Sequence, residues 1–273
     1  MLIPILTMSI MGLLFGLGLA YASKIFRVDV DPKIDMVIHA LPGANCGACG
    51  MAGCANLAEA IVGGKAEVTA CAPGGQEVYD KIAGILGVGI KVKKKKTARV
   101  RCNGGKRSLD KYEYSGLKKC AGANLLAGGN KECRFGCLGF RDCVEICPFD
   151  AIHLNENDIP VVDGSKCTAC GKCVGACPKK IIILGNADDK IYVKCLSHDK
   201  GAVVKSICPA GCIGCRICEK LSGGVFLVEN NLSRADYSRA KPDTPWQAII
   251  EKCPTKCIVE EGGNGGKYSE IKR

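Results

Sequence analysis

The chain is poor in the side chains that build a large apolar core or an acid–base active site. Aromatic residues are 5% of its 273 residues, with one tryptophan and three histidines. His39, His153 and His198 have no ligand-like spacing, so we interpret them as structural. No glycine-rich dinucleotide fingerprint is present in the sequence, which argues against a dinucleotide-binding domain.

Charge is absent from the first 23 residues. At about 20 residues per bilayer crossing, this apolar run is long enough to span a membrane. A cleaved signal peptide is the alternative, because Ala20–Ala22 resembles a cleavage site, but no basic residue precedes the run as it does in signal peptides. Lys24 and Arg27 follow it instead, and the positive-inside rule places the rest of the chain in the cytoplasm. We predict a retained, single-pass anchor in the cytoplasmic membrane at residues 1–24.

Cysteine and glycine are abundant instead, at 21 and 35 residues. A chain with few aromatics and many cysteines needs disulfides or metal to hold it together. The odd cysteine count weakens a pure disulfide framework, and CxxCxxC triplets followed by Cys-Pro are typical of metal-ligand runs. We therefore interpret most of the cysteines as ligands of iron–sulfur clusters.

The clearest motif is Cys167-x2-Cys170-x2-Cys173-x3-Cys177-Pro. Three thiolates on one tight loop can ligate three irons of a [4Fe–4S] cube. In two-cluster ferredoxins the fourth cysteine, before proline, ligates the other cluster. Zinc fits this run poorly, since two separated CxxC pairs usually make its tetrahedral site.

The partner half of this ferredoxin-like unit is altered. Counting back from Cys147-Pro, the pattern finds Cys143 and Cys137, but Phe140 occupies the position between them. Cys133, four residues before Cys137, is the obvious replacement. The predicted ligand sets are Cys133, Cys137, Cys143 and Cys177 for one cube, and Cys147, Cys167, Cys170 and Cys173 for the other.

The C-terminal unit keeps one ligand set and lacks the other. Cys212, Cys215 and Cys218 form a full triplet, but Ser222 stands where the Cys-Pro of a two-cluster unit would begin. Counting back from Cys253 by the same rule finds no cysteine. The three positions hold Ile249, Trp246 and Asp243. We therefore predict one cube, held by Cys212, Cys215, Cys218 and Cys253.

The N-terminal cysteines are spaced Cys46-x2-Cys49-x4-Cys54-x16-Cys71. Glycines at positions 43, 47, 50 and 53 let the backbone approach a cube closely. On spacing alone, a four-thiolate zinc site is an alternative to a [4Fe–4S] cluster.

Four complete sets use 16 of the 21 cysteines, which predicts four clusters and about 16 iron atoms per chain. The remaining cysteines are Cys102, Cys120, Cys195, Cys208 and Cys257. A free cysteine is commonly a small buried hydrophobe, and we interpret these five in that way. Cys208, close to the Cys212 triplet, is the best placed of them to exchange with a ligand.

The expected fold class is α+β, with a transmembrane helix, a small helical cluster module, a two-cluster bacterial ferredoxin-like unit and a degenerate one-cluster ferredoxin-like unit. Apolar periodicity predicts helical faces at Cys54–Ile61 and Val78–Ile85. The predicted strands are Ile159–Val162, Ile181–Leu184, Ile191–Val193 and Val225–Val228. The predicted segments are an anchor at 1–24, an N-terminal module at 35–90, a basic connecting segment at 91–130, the two-cluster unit at 131–186, the one-cluster unit at 187–262 and a disordered tail at 263–273.

Basic residues are concentrated between Lys91 and Lys96, with Arg99 and Arg101 just beyond. Such a run is commonly a solvated linker or strand. The alternative is a docking surface for an acidic partner or anionic lipid. The formal net charge of +11 falls to about +3 once four oxidised clusters, each of about 2−, are counted, so local patches matter more than the total.

The order of these motifs resembles that of the Rnf complex B subunits. The uncharged N-terminal helix, Leu41-Pro-Gly-Ala-Asn-Cys-Gly-Ala-Cys-Gly with Cys54 and Cys71, Gly136-Cys-Leu-Gly-Phe and Cys143-Val-Glu-Ile-Cys-Pro-Phe-Asp-Ala-Ile carry the resemblance. It covers nearly the whole chain. It implies a [4Fe–4S] cluster, and not zinc, at the N-terminal cysteines.

The resemblance implies a non-catalytic electron-transfer subunit of a complex that moves electrons from reduced ferredoxin to NAD⁺ and couples this to Na⁺ or H⁺ transport. Implied partners are the integral membrane and flavin-bearing subunits and a soluble acidic ferredoxin, with NAD(H) and flavin bound elsewhere in the complex and no nucleic acid. Alternatives are a free-standing membrane-anchored polyferredoxin, a donor to a system that reduces a redox-sensing transcription factor, and a protein with structural clusters. The transcription-factor relative typically ends after its first ferredoxin unit, so the C-terminal unit here favours the respiratory complex.

Overall fold

An exposed apolar helix begins the part of the chain that the structure describes. The computed structural model describes residues 2–26, 31–90 and 94–261. Helix α1 spans Leu2–Ile25, and its part from Leu6 to Ile25 is long and apolar enough to cross a membrane. Lys24 lies in the last turn of α1, whereas Arg27 lies outside the described residues.

Three helices form the N-terminal module: α2 (Pro32–Ala40), α3 (Cys54–Val62) and α4 (Gly75–Leu86). Helix α2 begins where the carboxylate of Asp31 accepts a hydrogen bond from the backbone N–H of Lys33 at 2.9 Å, a common N-cap. Helix α4 ends at Gly87, whose φ of 70° is the left-handed value that glycine tolerates. The core of the module includes Val37, Leu57, Ala58, Ile61 and Ile82. Both predicted helices are therefore present, and they bury the predicted faces.

The middle unit is built from two-stranded antiparallel sheets and short helices. Its elements are β1 (Lys96–Val100), α5 (Cys120–Leu125), α6 (Asp142–Glu145), β2 (Ile152–Leu154), β3 (Pro160–Val162), α7 (Lys172–Ala176) and β4 (Ile182–Asn186). Strand β1 pairs with β4, with Ala98 opposite Leu184, and β2 pairs with β3, with Ile152 opposite Val162. Cysteine thiols and small aliphatic side chains share the core between these elements.

The predicted connecting segment at 91–130 is more than a linker. Four of the five residues of β1 are buried, and the backbone N–H of Arg101 extends the pairing by donating to the carbonyl of Ile181 at 2.7 Å. Strand β1 thus forms one sheet with β4, the last strand of the middle unit. Part of the predicted connecting segment therefore packs with the middle unit, whose start was predicted at residue 131.

The C-terminal unit repeats this architecture. Its elements are β5 (Ile191–Val193), α8 (Gly201–Ile207), α9 (Ile217–Leu221), β6 (Phe226–Glu229), β7 (Leu232–Ala235), α10 (Trp246–Lys252) and β8 (Ile258–Glu260). Strand β5 pairs with β8, and β6 pairs with β7. The predicted strands of both units are present within one or two residues. The tail predicted at 263–273 lies outside the described residues.

Core side chains occupy positions of the ligand set that the C-terminal unit lacks. Phe226 is fully buried, and its ring centroid lies 6.2 Å from that of Trp246, edge to face. Ile249 is 1% exposed, and the hydroxyl of Ser222 accepts the backbone N–H of Phe226 at 2.9 Å. Burial of apolar side chains stabilises this part of the unit, where a second cluster would otherwise do so.

The middle and C-terminal units pack against each other. Leu196 contacts the cores of both. The side chain of Arg99, on β1, reaches a carboxylate oxygen of Glu261 at 3.1 Å and lies over the ring of Tyr192. The two units therefore share a packed interface.

Candidate iron–sulfur sites

The N-terminal module holds its four cysteines around one cavity. Cys46, Cys49, Cys54 and Cys71 line a space of about 310 Å³. Burial raises the pKa of Cys71, and the neighbouring thiols of Cys54, Cys46 and Cys49 raise it further. The structure thus brings all four predicted N-terminal ligands together.

Local backbone features place these thiols. The side-chain oxygen of Asn45 accepts the backbone N–H of Cys54 at 2.8 Å, at the first turn of α3. A Cβ atom at Gly53 would lie 2.9 Å from that oxygen, so glycine leaves the room that this hydrogen bond needs. Gly47 has a φ of 68°, which lets the loop turn back towards the cavity.

The middle unit holds a second complete set. Cys147, Cys167, Cys170 and Cys173 line a cavity of about 310 Å³. Burial raises the pKa of Cys173 to about 11, with a contribution from the other three thiols. The backbone N–H of Ala98, in β1, donates to the sulfur of Cys167 at 3.4 Å. Strand β1 therefore supplies a hydrogen bond of the kind that tunes thiolate ligands.

Cys137, Cys143 and Cys177 are joined by a fourth thiol that was not predicted. Burial raises the pKa of Cys143 to about 12, and Cys120 is the first neighbouring thiol that raises it further, followed by Cys177. Burial also raises the pKa of Cys120, to which Cys177 contributes. The thiols near Cys137 include Cys102, Cys120 and Cys143.

Packing around residue 140 explains why Cys120 lies there. The ring of Phe140 is 5.4 Å from that of Tyr114, which holds the segment before α5 against the cysteine loop. The two carboxylate oxygens of Asp142 accept the backbone N–H groups of Cys120, at 2.8 Å, and Ala121, at 3.0 Å. These contacts place Cys120 beside position 140, where the motif expects a cysteine and the chain has phenylalanine.

Cys133, the predicted fourth ligand of that set, lies in a different group. It lines a cavity of about 400 Å³ together with Cys102, Cys195 and Cys208, which we call the junction cavity because it lies where the middle and C-terminal units meet. Burial raises the pKa of Cys133, and Cys102 is the first neighbouring thiol that raises it further. The backbone N–H of Gly136 donates to the carbonyl of Cys133 at 2.8 Å, so a tight turn separates its thiol from that of Cys137. The structure thus places Cys133 beside a different group of thiols from the one predicted.

Five thiols line the C-terminal cavity, one more than predicted. Cys212, Cys215, Cys218 and Cys253 surround about 330 Å³, and Cys257 joins them. The sulfurs of Cys253 and Cys257 are 3.7 Å apart. Cys215 is exposed, so this cavity lies close to the surface.

Cys257 shares hydrogen bonds with two thiols of this group. These hydrogen bonds lower the pKa of Cys253 to about 5 and that of Cys212 to about 6, and they raise the pKa of Cys257 well above its usual range. Cys253 precedes Pro254 and so keeps the Cys-Pro position of the motif, which is why it remains the predicted fourth ligand of the Cys212 triplet.

The spacing of the thiols fits clusters better than single ions. Among the described residues, no three His, Cys, Asp or Glu side chains converge closely enough to hold one metal ion. The thiols instead stand around open cavities, four of them at each of three cavities and five at the C-terminal one. A [4Fe–4S] core is held at its corners by four thiolates, so these donor sets fit it. The zinc alternative for the N-terminal set would need a closer arrangement.

Two family models match the chain. A model described as "Putative Fe-S cluster" matches residues 41–73, and a model described as "4Fe-4S dicluster domain" matches residues 132–182. The first range contains the N-terminal set, and the second contains the cysteines from Cys133 to Cys177. The chain therefore carries iron–sulfur domains.

Similar proteins extend over nearly the whole chain. The B subunit of a Na⁺-translocating ferredoxin:NAD⁺ oxidoreductase complex from Acetobacterium woodii is 42% identical over 259 residues, which are 94% of this chain and 77% of that one. The B subunit of an ion-translocating oxidoreductase complex from Methanosarcina acetivorans is 41% identical, over 91% of this chain and 94% of its own. The B subunit of a proton-translocating ferredoxin:NAD⁺ oxidoreductase complex from Clostridium ljungdahlii is 39% identical, over 93% and 90%. With this identity along its length, and with thiol-lined cavities in each of its units, the chain belongs to the family of B subunits of the ion-translocating oxidoreductase (Rnf) complexes.

Proposed function

We propose that this chain is the iron–sulfur electron-transfer subunit of a membrane-bound, ion-translocating ferredoxin:NAD⁺ oxidoreductase. It accepts electrons from reduced ferredoxin and relays them to the membrane subunits. The observation that carries the proposal is the presence of a cavity lined by four or five thiols in each of the three units of the chain. A [4Fe–4S] cluster bound in such a cavity supplies one-electron transfer.

Three ligand sets follow the cavity linings. They are Cys46, Cys49, Cys54 and Cys71; Cys147, Cys167, Cys170 and Cys173; and Cys212, Cys215, Cys218 and Cys253. A fourth set includes Cys137, Cys143 and Cys177. Each cysteine must lose its proton on binding, so cluster loading releases protons.

The protein tunes the ligands through hydrogen bonds to sulfur. The N–H of Ala98 donates to Cys167, and the hydroxyl of Ser233 lies 3.2 Å from the sulfur of Cys218. A donor favours the more negative, reduced state of a cluster and so raises its reduction potential. Through these contacts the protein would set part of the potential of a cluster bound at either site.

A basic surface lies next to the middle unit's second set. Lys94–Lys96 are exposed, and Ala98, two residues further on, lines the cavity of Cys167. Lys91 and Lys93, the rest of the run, lie outside the described residues. We propose that an acidic ferredoxin docks at this surface, because opposite charges steer association and the site brings the donor close to a ligated cluster.

Helix α1 is proposed to anchor the chain as a single pass in the cytoplasmic membrane, with the cysteine-bearing units on the cytoplasmic side. Its exposed apolar side chains match the hydrocarbon core of a bilayer. The partners at the membrane are then the integral and flavin-bearing subunits of the complex.

Complementation tests the proposal. Membrane vesicles from cells that lack this chain should not reduce NAD⁺ with reduced ferredoxin, and the wild-type chain should restore the reaction. A chain with Cys173→Ala should be present in the membrane at normal levels and yet restore little of it. Normal ferredoxin-dependent NAD⁺ reduction without this chain would rule the proposal out.

A further inference from the structure

The junction cavity gathers cysteines that the motif pattern leaves unassigned. Cys102, Cys195 and Cys208 belong to no CxxC run, and 93 positions separate Cys102 from Cys195 in the sequence. The fold brings them together with Cys133 around one space of about 400 Å³. All four are buried. Three of the predicted ligand sets also line cavities, and the thiols of the junction cavity are more completely buried than theirs.

The backbone comes close to this cavity as it does at a cluster site. A Cβ atom at Gly104 would lie 3.1 Å from the sulfur of Cys208. A Cβ at Gly211 would lie 2.4 Å from a methyl group of Val204. Glycine at these two positions of the lining lets the loops close over the thiols, which larger residues would hold apart.

Every thiol of the junction cavity receives a backbone N–H. Three of them interact with the N–H two residues further along: Cys133 with Phe135, Cys195 with Ser197 and Cys208 with Ala210. The fourth, Cys102, accepts the N–H of Cys137 at 3.4 Å. Donors aimed at sulfur are expected where the sulfur carries negative charge as a metal ligand.

Two cationic side chains also lie at the junction cavity. Arg101 and Lys194 line it, and the guanidinium of Arg101 donates to the backbone carbonyl of Cys195 at 3.2 Å. An anionic cluster bound here would lie beside both cations, whose charges would offset its own.

If Cys133 belongs to the junction cavity, the first ligand set of the middle unit still has four thiols. Cys120 lies beside Cys143 and Cys177 and is fixed there by Asp142. With that exchange, 20 of the 21 cysteines fall into sets of four. The cysteine left over is Cys257, whose sulfur lies 3.7 Å from that of Cys253 in the C-terminal cavity.

We propose that Cys102, Cys133, Cys195 and Cys208 bind a fifth [4Fe–4S] cluster, and that Cys120 completes the set of Cys137, Cys143 and Cys177. Binding breaks four S–H bonds, releases four protons and forms four S–Fe bonds. With a cluster bound and oxidised, the four thiolates and the core would carry about 2− in total, and the site would supply one-electron transfer.

The fifth site bridges the two units. Cys102 accepts the N–H of Cys137, a ligand of the middle unit. Cys195 interacts with the N–H of Cys212, a ligand of the C-terminal unit. One hydrogen bond on each side thus connects the junction site to the neighbouring ligand sets, and the proposed electron path runs through it.

Iron analysis of the full-length protein tests this site separately from the proposed function on which it rests. Wild-type holoprotein should hold about 20 iron and 20 sulfide per chain, and Cys195→Ala and Cys208→Ala should each hold about 16. Mössbauer spectra should show that both variants lose the same component and keep the other clusters. Val203→Ala, which shortens an exposed side chain of α8 and keeps all four thiols, should hold about 20.

The outcomes separate the two proposals. About 16 iron in the wild type, with no loss in Cys195→Ala or Cys208→Ala, would overturn the fifth site and leave the electron-transfer function standing. A wild-type chain without iron would overturn both. Cys120→Ala should lower the iron content as well. An unchanged iron content would show that Cys133, and not Cys120, is the fourth ligand of the first set of the middle unit.

Discussion

The backbone N–H of Cys137 donates to the sulfur of Cys102 over 3.4 Å. Cys102 follows β1 by two residues, and Cys137 belongs to the first ligand set of the middle unit, so this bond ties that set to the junction cavity. From the other side, the N–H of Cys212 interacts with Cys195, which follows β5 by two residues. Equivalent positions after equivalent strands therefore place one thiol from each unit at their common boundary.

The C-terminal site should depend on Cys253 and not on Cys257 for its iron. Cys253→Ala should lose about four irons per chain, because it removes the thiolate that completes the Cys212 triplet. Cys257→Ser should keep its full iron content, since the hydroxyl still donates to both neighbours. Iron and sulfide analysis of both variants is the check, and an iron loss in Cys257→Ser would show that the two cysteines exchange roles.

The thiol of Cys257 should set the reduction potential of that cluster. Cys257→Ala removes a donor to Cys212 and Cys253 and should lower the potential by tens of mV, since about 59 mV corresponds to a tenfold change for one electron. Potentiometric EPR titration measures the shift. Cys257→Ser is the matched control and should stay closer to wild type, whereas an equal shift in both would point to a packing effect.

Asn45 should stabilise the N-terminal site locally. Asn45→Ala removes the acceptor for the N–H of Cys54, at a cost of about 1 kcal/mol. The N-terminal cluster should then be lost to a chelator faster than the others, as followed by iron release and EPR. Asn155 accepts N–H groups of Asn157 and Ile159 in the middle unit, so Asn155→Ala should spare the N-terminal cluster. Equal loss in the two variants would contradict a local role.

The exposed lysines before β1 should speed electron entry. Changing Lys94, Lys95 and Lys96 to Gln should slow reduction by ferredoxin at low ionic strength, and the defect should shrink as salt rises, because screening weakens charge attraction between the two proteins. Stopped-flow absorbance measures the rate. The control changes three exposed lysines of the C-terminal unit, Lys205, Lys220 and Lys252, for the same loss of charge. If ferredoxin reduces the first variant at the wild-type rate at low salt, these lysines are a solvated strand end and not a docking surface.

Helix α1 should hold the chain in the membrane with its C-terminus inside the cell. A chain without residues 1–25, expressed alone, should move to the soluble fraction. In right-side-out cells, a protease should leave a tag after Arg273 intact until the membrane is opened. Cleavage of the tag in sealed cells would contradict the proposed topology.

Sequence reasoning located the sites whose ligands are close together along the chain. The Cys167 and Cys212 triplets fix three thiols within seven residues each, and the proline after the fourth cysteine identifies the remaining partner. Cys102 and Cys120 carry no such local signal. Their positions depend on the pairing of β1 with β4 and on the cap from Asp142, which are contacts between distant segments.

The difference between local motif signals and contacts of distant segments also applies to the ligand positions that lack a cysteine. Trp246 and Ile249 could be identified as non-ligands from their chemistry, yet only the structure shows that they pack with Phe226 into a core. Phe140 was recognisable as a missing ligand. Its ring packs at an angle against that of Tyr114, in the segment that leads to Cys120. The spacing of the cysteines does not predict this contact.

Anaerobic titration of the purified, cluster-loaded chain with reduced ferredoxin tests the electron-carrier account most directly. The account predicts rapid bleaching of the cluster absorbance together with the EPR signals of reduced [4Fe–4S] centres, with uptake approaching one electron per cluster. Clusters that stay oxidised in the presence of excess reduced ferredoxin, while the iron content shows that they are present, would contradict it.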